Sequence, residues 1–180
     1  MKSLKFTLKA WPVIALATIG LCYLTQTVAK WFGIDLPDQQ NIEIVKKIAG
    51  LNWQFAFLCV QVIVVMPVLE ELIFRGMLFK LPTRRKDARR ETSDASEGLK
   101  TKDARPGSRA IVCAVISSAL FSAAHYLAQP WPDAAFLALF FFGLAQCWLY
   151  LKTDRICCAM LNHGLFNLTN LVLLFVLPEA

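Results

Sequence analysis

The sequence predicts an all-α fold, a polytopic transmembrane helix bundle with about five spans plus a short interfacial helix. Three observations carry this. Of the 180 residues, 57% are hydrophobic and mean hydropathy is +0.50, above the ~45–50% apolar share of soluble domains. The excess falls in runs of about 20 residues, the length that crosses ~30 Å of hydrocarbon. Glu70, Glu71, Arg75, His125, His163 and Asn167 lie inside such runs. Charge in a span is unfavourable, so such residues mark a functional site facing the bundle interior. One membrane domain, 1–180, is expected.

The first span covers 10–29. Lys2, Lys5 and Lys9 precede it, and Trp11 and Trp31 bracket it as interface anchors. The segment also resembles a signal peptide, with Thr27-Val28-Ala29 as a loose cleavage site. An uncleaved anchor is favoured by its long apolar region. In "NIEIVKKIAGL", Ile42, Val45, Ile48 and Ala49 share one helical face, which reads as a short interfacial helix.

The second span covers 53–81. Pro67 cannot donate a backbone hydrogen bond, so it should kink the helix one turn before Glu70 and free the Ile63 carbonyl. Residues 83–108 form a basic cytoplasmic loop, rich in Arg, Lys, Asp and Ser, expected to be disordered. Spans at 110–127, 134–151 and 156–177 follow, separated by "QPWPD" and "KTDR". Depth counting puts His125 far from the start of its helix, so the third helix is expected to be tilted or to begin below the membrane surface, inside the basic loop.

The net charge is +6. About half of the Lys and Arg residues fall between Arg84 and Arg109, without interleaved aromatics for base stacking, which argues against nucleic acid. The loop reads instead as a topology signal and a contact for anionic lipids. The N-terminus is then cytoplasmic in an integral protein of a bacterial inner (plasma) membrane. The six cysteines show no CxxC spacing and read as small buried hydrophobes. Cys157–Cys158, near a cytoplasmic helix end, is a weak acylation signal.

Glu70 and Glu71 project about 100° apart on a helix, so they cannot share one role. Glu71 and Arg75 are spaced i,i+4 with the acid first, and can pair on one face. Glu70 is left free for general-base chemistry. Phe121–His125 and His163–Asn167 are also i,i+4 pairs, each on one face. Bland alternatives exist for each: a satisfied core histidine, a packing Phe121, an Asn167 that glues helices together. Gln146, Asn162, Asn170 and Tyr126 carry no assigned role.

"EELIFR", "FSAAH" and "HGLFN", in that order, resemble the EExxxR, FxxxH and HxxxN motifs of CPBP intramembrane proteases (CAAX proteases and bacteriocin-processing enzymes, also called Abi). The resemblance implies that Glu70 activates water, that His125 helps to polarise it, and that His163 and Asn167 stabilise the oxyanion. Glu71 and Arg75 match the remainder of the first motif, and Phe121 supports His125. It implies an endopeptidase acting on a membrane-associated protein or peptide, in CAAX-type processing, peptide maturation or C-terminal sorting. A glutamate-type reaction without a cofactor is favoured; zinc on Glu70, His125 and His163 is the alternative, although no HExxH helix is present. The alternative to an enzyme is a non-catalytic membrane module, such as a bacteriocin-immunity or scaffold protein. An ion or proton carrier fits less well, since no repeat is visible.

Overall fold

The computed structural model describes residues 2–36, 45, 48, 52–80, 107–126 and 133–176. Among them are five long helices and no strand. Helix α1 spans Lys2–Trp31. Helix α2 is a composite: an α segment Asn52–Val60, a π segment Gln61–Val65, a short α segment Met66–Glu71 and a second π segment Leu72–Lys80. Helices α3 (Ser108–Ala124), α4 (Ala135–Thr153) and α5 (Ile156–Val176) complete the bundle. Four of the five are long and apolar enough to cross a membrane; α3, at 17 residues, is the shorter apolar helix.

The interfacial-helix expectation lies outside the described residues, apart from Val45 and Ile48, which are helical. The 83–108 loop lies outside them too, except its last two residues. Gly107 is the N-cap of α3 and Ser108 its first residue, so the helix starts two residues before the expected 110.

Each helix gives at least one residue to a single core: Ile14 and Ala15 from α1, Phe74 from α2, Phe121 from α3, Phe142 from α4 and Phe166 from α5. A smaller cluster joins Phe79, Cys147 and Tyr150. Around them, large apolar side chains point outward, among them Val13, Leu16, Met77, Ile111 and Val172. The fully buried side chains include Glu71, Arg75, Ser117, Gln146 and Asn162. Polar inside and apolar outside is the arrangement a bilayer selects, because lipid supplies no partner for a polar group.

The disturbance expected at Pro67 takes the form of the π segment before it. There the Met66 N–H bonds to the Gln61 carbonyl, five residues back. Continuing that pattern, the Val62 carbonyl faces Pro67, which has no N–H; in the α pattern the Ile63 carbonyl faces it instead. Helix α5 serves this stretch. Asn167 Nδ2 donates to the Val62 carbonyl at 2.8 Å. Gly164 packs so closely that a Cβ there would lie 2.6 Å from the Ile63 oxygen. Small and amide-bearing residues at helix contacts are how spans pack in lipid.

Helix α3 is seated by its serines. Ser117 Oγ donates to the Phe74 carbonyl of α2 at 2.7 Å, and Ser122 Oγ to the Phe136 carbonyl of α4 at 2.7 Å. Ser117 is nine residues into α3, whereas Phe74 is six residues before the end of α2. Counted from that bond, the start of α3 lies three residues further along than Lys80 of α2. Between α4 and α5, Asp154 turns the chain in the left-handed region (φ 50°), a conformation Asp tolerates better than most residues.

Candidate active site

The site is assembled from α2, α3 and α5. The expected Glu71–Arg75 pair forms: Arg75 Nε lies 3.2 Å from Glu71 Oε2, both side chains fully buried. The atoms are off the hydrogen-bond line, so the contact is one of charge. Arg75 is held from two further sides. Its Nη2 donates to the Gly143 carbonyl of α4 at 3.2 Å, and its Cζ lies 4.6 Å over the Phe121 ring.

The spacing of motifs did not reveal that Glu71 also reaches α5. His163 Nδ1 is 3.0 Å from Glu71 Oε1. On the other side of the same ring, His163 Nε2 is 3.5 Å from Glu70 Oε2. One imidazole thus bridges the two adjacent carboxylates. Their settings differ: Glu71 is sealed, and the Glu70 side chain keeps 19% of its surface exposed. Glu70 was expected to lack a local cation. None lies on its own helix face, but His163 supplies a group that can carry positive charge.

His125 sits at the end of α3. The last turn tightens, and the His125 N–H bonds to Ser122 rather than to Phe121. The freed Phe121 carbonyl accepts from the His125 ring instead, with Nδ1 at 2.9 Å. A carbonyl only accepts, so Nδ1 carries the proton and Nε2 of the neutral ring is an acceptor. The Phe121 ring packs edge-on to His125 (centroids 4.7 Å) and to His163 (5.7 Å). This explains the Phe four residues before the His: fully buried, it touches both imidazoles and the guanidinium.

The end of α3 is pinned to α4. Asp133 Oδ1 accepts the backbone N–H groups of Ala135 (2.8 Å) and Phe136 (3.1 Å), capping α4, and Tyr126 Oη donates to the same oxygen. Gln146 and Asn162, unassigned from sequence, form a buried pair: Asn162 Nδ2 donates to Gln146 Oε1 at 3.2 Å, and Gln146 Nε2 to the Ala159 carbonyl at 3.4 Å. Both hold α4 against α5, one residue from His163.

Glu70, Glu71, Arg75 and His163 therefore form one chain of contacts. His125 joins it through Phe121. Asn167, one turn beyond His163, has one amide hydrogen on Val62 and a second that can be offered elsewhere. For zinc, a site needs three protein ligands around one point. Among the described residues no three His, Cys, Asp or Glu side chains converge that way. Both imidazoles pack on the Phe121 ring, but of the two it is His163 that comes within 3.5 Å of Glu70, so Glu70, His125 and His163 are not gathered around one point as a zinc site needs.

A bundle with outward apolar faces, whose buried charges meet a partly exposed carboxylate and imidazoles, defines the class: an integral membrane protein with a polar site enclosed among its helices. Residues 52–169 match the family model described as "Type II CAAX prenyl endopeptidase Rce1-like", and the chain belongs to that family. The match contains Glu70, His125, His163 and Asn167. No curated protein and no solved structure matches the chain.

Proposed function

We propose that this chain is an intramembrane endopeptidase of glutamate type. Glu70 takes a proton from water as the water oxygen attacks a peptide carbonyl. The carbonyl electron pair moves to oxygen, and the oxyanion is met by His163 and by the second amide hydrogen of Asn167. One such donor is worth about 3–4 kcal/mol of barrier. His125 Nε2 accepts the other hydrogen of the water and so orients it. As the C–N bond breaks, Glu70 returns its proton to the leaving amine.

The observation that carries the reading is the contrast between adjacent carboxylates. Glu71 is locked between Arg75 and His163, while Glu70, 3.5 Å from His163, stays partly exposed and within reach of water. The proposed substrate is a membrane-associated protein or peptide, in keeping with the family's CAAX description; peptide maturation and C-terminal sorting are the other substrate classes. The basic residues of the sequence support a cytoplasmic N-terminus and contact between the 83–108 loop and anionic lipid; a bacterial inner membrane is the proposed location.

The test is cleavage in liposomes, read by mass spectrometry, of prenylated and unlipidated peptides by the parent and by Glu70→Gln. The parent should cleave, and the variant should be slower by about 10²–10⁴-fold. Undiminished cleavage by Glu70→Gln removes the proposed base. Silence from both proteins on every peptide favours the non-catalytic membrane module. Cleavage by the parent should survive a chelator; its loss would restore the zinc alternative.

A further inference from the structure

We propose that Glu71 is a positioning residue that sets the tautomer of His163, keeping the ring proton on Nδ1 and leaving Nε2 free to receive the proton that Glu70 removes from water. The inference deepens the endopeptidase reading and rests on it for its catalytic consequence. Its structural half stands without it.

A carboxylate oxygen accepts and does not donate, so the 3.0 Å contact between Glu71 Oε1 and His163 Nδ1 requires the hydrogen on Nδ1. The neutral ring then presents a lone pair at Nε2, the nitrogen 3.5 Å from Glu70 Oε2. Glu71 cannot rotate away, because Arg75 Nε holds its other oxygen at 3.2 Å in a fully buried setting. Phe121 and Phe142 pack against the His163 ring, with centroids 5.7 and 5.1 Å away, and hold its plane. The order of groups is therefore Arg75, Glu71, His163, Glu70.

In the reaction this order couples base and oxyanion donor. The water O–H bond breaks, its oxygen bonds the carbonyl carbon, and the proton passes through Glu70 to Nε2. His163 becomes an imidazolium as the oxyanion appears, so its Nε2–H is a charge-assisted donor when negative charge develops. On collapse the C–N bond breaks, the proton returns through Glu70 to the amine nitrogen, and His163 is neutral again.

The chain has only two histidines, so ¹⁵N-histidine labelling of the full-length protein in bilayers gives two imidazoles to read by solid-state NMR. At alkaline pH, both rings of the parent should be neutral with the proton on Nδ1: His163 held by Glu71, His125 by the Phe121 carbonyl. A His163 ring carrying a proton on Nε2, alone or together with Nδ1, overturns the proposal without recourse to any variant. Glu71→Gln then makes a sharper demand. Arg75 only donates, so the amide oxygen must face it, which turns the amide NH₂ towards His163 Nδ1. That nitrogen must become an acceptor, and the His163 tautomer should switch to Nε2–H while His125 does not change. An unchanged pair of spectra overturns the proposal.

Cleavage measured alongside separates the two levels. The switched variant should lose on the order of 10²-fold or more in kcat, as a wrong tautomer does in other hydrolases, with KM little changed. Full cleavage by a variant whose tautomer has switched overturns the positioning role. A parent that cleaves nothing overturns the endopeptidase reading and leaves the tautomer result standing.

Discussion

Helix α5 meets α2 in two adjacent places, and the two are built from different chemistry. At His163 it meets side-chain charge, with Glu71 on one ring nitrogen and Glu70 facing the other. At Gly164 and Asn167 it meets backbone, the carbonyls of Ile63 and Val62. Both contacts satisfy polar groups that lipid cannot. They differ in what is left over. The carbonyl contact closes on itself, whereas the charge contact leaves a partly exposed carboxylate. The first sets how closely and at what depth the helices lie; the second uses that placement for chemistry. The π segment carries both carbonyls and Pro67 lies between them and Glu70; together they are the reason the backbone contact exists.

The comparison is broken most directly at Glu70. Glu70→Gln should reduce cleavage by about 10²–10⁴-fold with no change in thermal unfolding followed by circular dichroism. A large loss of stability would mean that the two contacts do not divide the work as described. Arg75→Ala leaves Glu71 buried beside a hydrogen-bonded ring without its cation. It should destabilise the bundle by about 3–5 kcal/mol, measured by denaturant titration in micelles.

At the backbone contact the effects should be smaller and structural first. Gly164→Ala adds a methyl 2.6 Å from a carbonyl oxygen, and no side-chain rotation relieves a clash with backbone. The helices must part, at about 1–3 kcal/mol, and cleavage should fall in step with the displacement of His163. Asn167→Ala leaves the Val62 carbonyl without its donor and should cost about 1 kcal/mol in the same titration. A fall in kcat beyond what that loss of stability explains would locate its second amide hydrogen at the oxyanion.

Much of the architecture could be read directly from the chain. Runs of about 20 apolar residues mark the helices, because hydrocarbon thickness fixes their length. Expected and observed ends agree within a few residues at α4 and α5; α1 runs on at both ends, from Lys2 to Trp31. The Glu71–Arg75 and Phe121–His125 contacts were legible because an i,i+4 spacing puts both members on one face whatever the helix packs against. The same rule separated Glu70 from Glu71. It could not reach His163–Glu71, 92 residues apart, or Asn167–Val62, 105 apart. The Gln146–Asn162 pair and the close approach at Gly143, where a Cβ would meet Ser118 at 2.9 Å, were out of reach for the same reason.

The sequence by itself determined that helices form, that they belong in a bilayer, and which polar residues must find partners there, since all three follow from local periodicity and from the cost of polarity in hydrocarbon. Only the tertiary structure decided the partners. A contact between helices depends on how far each is rotated about its axis and slid along it. Those two quantities are set by the π turns of α2, the missing Pro67 donor and the glycines of α4 and α5 acting together.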